Sequence, residues 1–310
     1  MSSISPLVTQ AQADEHVFLI GRPPMAEFFG FIENQTVEGR EADRQALADI
    51  WRAANDRVHE LEAAESDVAD AVTTGALPES VAELRERVLS DPIVQRSFAV
   101  VPIDIAMIEL DALVVFQKHI NLAYASELEA MLGAGAPEAD LFRFCLPFDS
   151  RHDPPIRGTR THPNAWTLAS PSTDFRVLDF VQIDARQIGN LVVSGAPLLV
   201  VGAVIGYGSN YLTAVSHGSR LVLKNGSHRA YALRKLGYNR VPCLIEHVSR
   251  PEELELIGAG ELYERRDLYL DAPRPPLLRD YFDDRLRMIV NVPRQAWQIR
   301  VGVNVETLGV

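Results

Sequence analysis

Between Arg40 and Val72, side chains recur in steps of four and three: Leu47, Trp51, Ala54, Val58, Leu61, Glu65, Val68 and Val72. All but Glu65 are apolar, which predicts an amphipathic helix with a heptad-like face, suited to an antiparallel bundle or a short coiled coil. Such a face packs on its own core or on a second copy of the chain, so a homo-oligomer through the N-terminal helices is one expectation. Pro78 to Leu89 predicts another helix, opened by Pro78-Glu79-Ser80. The long apolar run from Ile103 to Leu132 predicts one bent helix or two, broken by Gly133-Ala134-Gly135-Ala136-Pro137, with a shorter helix through Phe144. With a flexible lead over 1–14, residues 15–146 therefore predict a mainly helical region.

The pattern then changes. Residues 147–174, rich in Pro, Ser, Thr, His and Arg, predict a long linking loop. Its His152, Asp153 and His162 match no metal-ligand spacing. From Phe175 the runs are short. Val177–Ile183 and Pro197–Ile205 predict strands, and Asp184 a cap for a short helix ending near Gly195. Tyr211–Ser216 and Arg220–Lys224 predict a hairpin. A helix over Ser227–Leu236 stops at Gly237, and Val241–His247 predicts the next strand. Pro251–Ile257 predicts a helix, followed by a Pro-rich link. Trp297, Ile299, Val301, Val303 and Val305 alternate with polar or small residues, the period of a half-buried strand. The fold class is α+β: a helical N-terminal region, a mixed α/β domain over 175–250, and a C-terminal β extension over 251–310.

The chain has 310 residues and a formal charge of −12. That balance argues against non-specific binding to nucleic acid or to anionic membranes. The charge is unevenly spread. From Ala185 to Ile245 there is no Asp or Glu, while Arg186, Arg220, Lys224, Arg229, Arg234, Lys235 and Arg240 all fall within the stretch. The rest of the chain carries a net −19, so one basic island interrupts an acidic protein. Within the island, Leu191–Gly208 is mostly apolar, but Gly195, Pro197, Gly202, Gly206 and Gly208 favour strands and turns over a membrane-spanning helix. Two unpaired cysteines, Cys145 and Cys243, and an N-terminus without a basic-then-apolar leader point to a reducing cytoplasm.

The island contains the candidate chemistry. Lys224-Asn225-Gly226-Ser227-His228-Arg229 reads as strand end, tight turn and helix start. It places His and Arg where a helix favours negative charge. An anion bound there, on free backbone N–H groups and on those two side chains, removes the conflict. The alternative is a turn made by Asn-Gly, with His228 and Arg229 solvated.

The order of hairpin, Asn225-Gly226-Ser227-His228-Arg229, helix with Ala232, Leu233, Leu236 and Gly237, and strand opening on Val241-Pro242 resembles the ParB/sulfiredoxin superfamily. The likeness covers about 75 residues, from near Val177 to His247. It implies a phosphate cradle for ATP or another nucleotide, with Mg²⁺ arriving on the phosphates. Gly226 would let the backbone approach, His228 and Arg229 would contact phosphate oxygens, and Ser227 would offer a hydroxyl, with Lys224 and Asn225 flanking. Sulfiredoxins carry a catalytic cysteine where this chain has Ser227, so thiol redox chemistry is not expected. Partition proteins follow the domain with a helix-turn-helix region that is missing here. By analogy with free-serine kinases, Asp179 and Asp184 are candidate general bases. Three readings stay open. One is a nucleotide-dependent enzyme acting by phosphoryl transfer or NTP hydrolysis on a small molecule. The others are a non-catalytic nucleotide-sensing or assembly module, and a DNA-binding partition-like or nuclease-like protein.

Overall fold

The computed structural model describes residues 12–148, 156–162, 164–172, 175–184, 187, 195, 199–208 and 210–307, with Arg40 described as backbone only. The chain divides into two compact units: Met1–Ser150 with Asn210–Arg294, and Arg151–Ser209 with Gln295–Val310. The stretch 175–250 is divided between them, its residues from Asn210 onward belonging to the first unit.

The first unit opens with β1 (Ala13–Leu19) and α1 (Met25–Gln35). β1 starts inside the stretch expected to be a flexible lead, whose residues 1–11 lie outside the described residues. The helix α2 (Arg44–Ala64) carries the heptad-like face. Asp43 caps it, its carboxylate accepting from the N–H groups of Gln45 (2.9 Å) and Ala46 (3.2 Å). Leu47 and Ala54 pack with Phe18, Phe28, Phe31 and Val290, so part of the face is covered by its own chain. The helix ends eight residues before Val72. Glu65 is taken by Arg274 (3.1 Å) and Arg279, and Asp67 turns left-handed (φ 62°) into a short 3-10 turn over Val68–Ala71. The one charged position in the periodic face is where the helix stops.

The helices α3 (Ala82–Ser90) and α4 (Pro92–Ser97) follow. The apolar run from Ile103 is not the expected helix. It forms β2 (Ile103–Glu109), β3 (Val114–Val115) and β4 (His119–Asn121) before α5 (Leu122–Leu132) begins. β-Branched Ile103, Ile105, Ile108, Val114 and Val115 suit strands, and each strand finds a partner supplied by distant sequence. Asn121 caps α5 by accepting from the Tyr124 N–H (2.9 Å). The helix α6 (Glu138–Cys145) completes the N-terminal part.

The second unit contributes β5 (Arg157–His162), β6 (Ala165–Ser170), β7 (Phe175–Asp184) and β8 (Leu199–Tyr207). β5 and β6 form an antiparallel hairpin inside the stretch expected to be a loop. All six β5 residues are exposed and mostly polar, so no hydrophobic alternation announces the strand. The helix expected between Asp184 and Gly195 lies almost wholly outside the described residues, as do His152 and Asp153. β7 and β8 pair antiparallel, with a bulge between Val177 and Asp179.

The chain then forms β9 (Thr213–His217), β10 (Arg220–Asn225), α7 (Ser227–Lys235) and β11 (Arg240–Val248), close to expectation. These strands join β2 and β3 in a five-stranded sheet ordered β2-β11-β9-β10-β3. β11 runs antiparallel to β2 and parallel to β9, and β10 runs parallel to β3. Successive side chains on a strand face opposite sides. Ala214, Leu221 and Leu223 join the core that includes Ala230 and Leu233 of α7. Val215 and Val222 join a second core with Leu254, Leu262 and Tyr269. Those come from α8 (Glu252–Leu256), α9 (Gly260–Glu264) and α10 (Arg266–Tyr269). The sheet is covered on both faces, which explains the nearly continuous burial of β11.

The expected C-terminal extension is shared between the units. β12 (Arg287–Pro293) pairs with β1 in a sheet ordered β12-β1-β4, and β13 (Trp297–Gly302) pairs with β6. No helix among the described residues is long and apolar enough to cross a membrane.

Candidate functional site

The turn between β10 and α7 is built around a glycine whose substitution is strained. Gly226 has φ +90°, and a Cβ placed on it would lie 2.7 Å from Leu212 Cδ1. The Leu212 backbone, whose Cα would lie 3.3 Å from that Cβ, is held in place: its N–H donates to the Cys145 carbonyl (2.8 Å), and its own carbonyl accepts from Leu244 N (3.1 Å). Asn225 anchors the strand side by donating from Nδ2 to the Tyr211 carbonyl (3.0 Å).

Helix α7 begins with no side-chain cap and no acidic residue in its first turn. The first backbone bond of the helix runs from Ala230 N to Gly226 O (2.8 Å). The N–H groups of Ser227, His228 and Arg229 precede it and sit at the positive end of the helix dipole.

The three cations expected at the turn meet different fates. Lys224 is paired with Glu246 on β11, Nζ to Oε2 at 2.6 Å. Glu246 is buried, so this ammonium neutralises an internal carboxylate. His228 Nε2 accepts from the Asn121 N–H (3.0 Å), and its ring meets Tyr124 edge-on at 5.4 Å. Burial, with His119 and His16 nearby, pushes His228 down to about 4. It is therefore a neutral acceptor at pH 7, in place of the expected cationic phosphate contact.

Arg229 is 6% exposed and among the described residues donates only to uncharged oxygens. Nη1 reaches the carbonyls of Asn210 (3.0 Å) and Cys145 (3.4 Å), Nη2 reaches Asn210 Oδ1 (3.0 Å), and Phe144 lies against the guanidinium at 5.5 Å. Its Nε is buried and has no hydrogen-bond partner among the described residues. Desolvation lowers its pKa, although arginine remains charged at neutral pH. Among the described residues no carboxylate is hydrogen-bonded or ion-paired to Ser227, His228 or Arg229.

His228 also belongs to a group that no local pattern reveals. His16 on β1 and His119 on β4 share a hydrogen bond between their Nδ1 atoms (2.9 Å). Desolvation lowers both, His119 to about 4. These two histidines stand 103 positions apart, and only the pairing of β1 with β4 brings them together.

Asp179 and Asp184, the candidate bases, lie on β7 in the second unit, whereas the turn belongs to the first. Asp179 is exposed, with Oδ1 accepting from the Phe180 N–H (2.7 Å). The thiols of Cys145 and Cys243 are fully buried, and burial pushes both up, Cys145 to about 12. Neither is suited to nucleophilic chemistry. Among the described residues no group of three or more His, Cys, Asp or Glu is placed to hold a metal ion.

No protein-family model matches this chain, and it has no significant match among curated proteins or solved structures.

Proposed function

We propose that the first unit contains a ParB/sulfiredoxin-like domain and that it binds a nucleotide through a phosphate seated on the first turn of α7. The run of hairpin β9-β10, turn, α7 and a strand parallel to β9 supports the fold reading, with β2 and β3 enlarging the sheet. The observation that carries the binding reading is Arg229. A nearly enclosed guanidinium without a carboxylate leaves positive charge at a helix N-terminus that is itself positive. Its unsatisfied Nε is the polar group an incoming anion would offset. The N–H groups of Ser227 and His228 and the Ser227 hydroxyl would hold phosphate oxygens.

The reading is a nucleotide-sensing or assembly module in which binding, not turnover, is the output. Among the described residues no carboxylate is hydrogen-bonded or ion-paired to the first turn. Mg²⁺, where present, would arrive on the nucleotide.

The test is calorimetric titration with ATP, ADP, CTP and GTP, with and without Mg²⁺, on the native chain and on Ser227→Glu. A glutamate in the first turn favours the helix by about 0.3–1 kcal/mol. It also places a carboxylate where the phosphate would sit. Saturable binding by the native chain, lost in a fully folded Ser227→Glu variant, is the expected result. Binding to neither, or equal binding to both, overturns the reading.

A further inference from the structure

The segment that opens the second stretch of the first unit runs against the α7 turn, one residue after another. Asn210 takes Arg229 on two oxygens, Nη1 on its carbonyl and Nη2 on its Oδ1, both at 3.0 Å. The Tyr211 carbonyl accepts from Asn225 Nδ2 (3.0 Å). Leu212 lies against the bare face of Gly226. Three consecutive residues thus meet three residues of the turn.

The three are not held alike. Leu212 is fully buried, and its backbone is tied to Cys145 and Leu244. Asn210 is exposed and lies outside any helix or strand. The terminal nitrogens of a guanidinium form the fork that grips two oxygens of a phosphate. In Arg229 that fork is filled by two oxygens of one exposed residue, which stands there as a neutral bidentate acceptor.

The exchange of acceptors is favourable in kind. An anionic oxygen bonds a guanidinium roughly twice as strongly as a neutral one does. Asn210, once released, gives its carbonyl and amide to water, so its own groups are not left unmet. The Leu212 N–H keeps the Cys145 carbonyl meanwhile, so the segment stays anchored one turn of chain away.

We propose that Asn210 is a built-in competitor of the phosphate: it holds the Arg229 fork, and a phosphate binding at the α7 turn takes the fork from it. The inference rests on the phosphate reading of that turn and adds its regulation. It also supplies the route to a nearly enclosed arginine, because the oxygens that cover the fork belong to an exposed residue that can leave. Displacement frees the point where the chain re-enters the first unit, which is the kind of output a sensing module needs.

The test is calorimetric titration of the full chain, Asn210→Ala and Asn210→Asp with ATP, CTP and inorganic tripolyphosphate. Thermal melting first establishes that both variants fold, as an exposed position allows. Asn210→Ala removes one neutral acceptor from the fork and should tighten binding about two- to tenfold. Asn210→Asp puts a charged competitor in the same place and should weaken binding by about tenfold or more. A purely structural Asn210 would not move the two variants in opposite directions. If the native chain binds and the variants do not shift its affinity in opposite directions, this inference alone is overturned. If none of the three compounds binds the native chain or Asn210→Ala, the inference falls together with the phosphate reading.

Discussion

Arg274 and Arg229 are both nearly enclosed, at 1% and 6% exposure, and their surroundings are opposite in kind. Arg274 has Asp280 on two bonds, Glu65 at 3.1 Å, and the Pro275 carbonyl at 2.8 Å. Arg229 has carbonyl oxygens, an amide oxygen, an aromatic ring and one nitrogen without a partner. The first is a closed electrostatic unit that joins the end of α2 to the segment before β12. The second holds Cys145 and Asn210, near the points where the chain leaves the first unit and returns to it, and no carboxylate among the described residues offsets its charge. A buried ion pair is completed within the fold, whereas among the described residues Arg229 has only neutral oxygens around it.

Several measurements would break or sharpen that contrast. Asp280→Asn strands Arg274 with its main partner gone, and should cost about 3–5 kcal/mol in urea unfolding. Next in size is the effect of acid on the histidines around the turn. His119 and His228 titrate near 4 in the folded chain, against about 6.5 unfolded. The folded state thus binds fewer protons between those values. Its stability is full above about pH 6.5 and falls as the pH drops towards 4, by up to roughly 3 kcal/mol for each group. Melting temperature followed from pH 7 to pH 4 should show that fall, and His119→Gln should make it shallower. An unchanged profile would mean that these rings are solvated.

Arg229→Met removes bonds to neutral oxygens only, so its cost should be smaller, about 1–3 kcal/mol. A loss equal to that of Asp280→Asn would erase the distinction between the two arginines. Gly226→Ala should cost about 1–3 kcal/mol by thermal melting, since it combines a left-handed backbone with a clash against Leu212. Asp179→Asn marks the low end. The carboxylate is exposed and, among the described residues, bonded only to a neighbouring N–H, so stability should change by less than about 0.5 kcal/mol. Nucleotide affinity should also be unchanged, and a large loss of it would return Asp179 to the site.

What was legible along the chain was local. The hairpin β9-β10, the glycine turn, α7 and β11 follow from short-range signals: breakers, β-branched runs, and a left-handed stop at Gly237. The run from Ile103 misled because an apolar stretch without polar punctuation is compatible with either helix or strand. It became strands because β11 and β10 offered ladders, and those lie more than a hundred residues away. The hairpin β5-β6 was hidden for the opposite reason, since a fully exposed strand has no buried face to display.

The same division holds at the site. The residue types of the turn determine a glycine-dependent corner, a helix start without an acid, and a local excess of cations, because each depends on neighbours within a few positions. Which of those cations retains a free charge was decided by the tertiary structure. Lys224 meets Glu246 across the sheet, His228 is made neutral by burial beside His119, and Arg229 is enclosed without a carboxylate. Pairing and desolvation act through space, between groups up to 212 positions apart in this cluster, from His16 to His228, and so lie beyond any local reading of the chain.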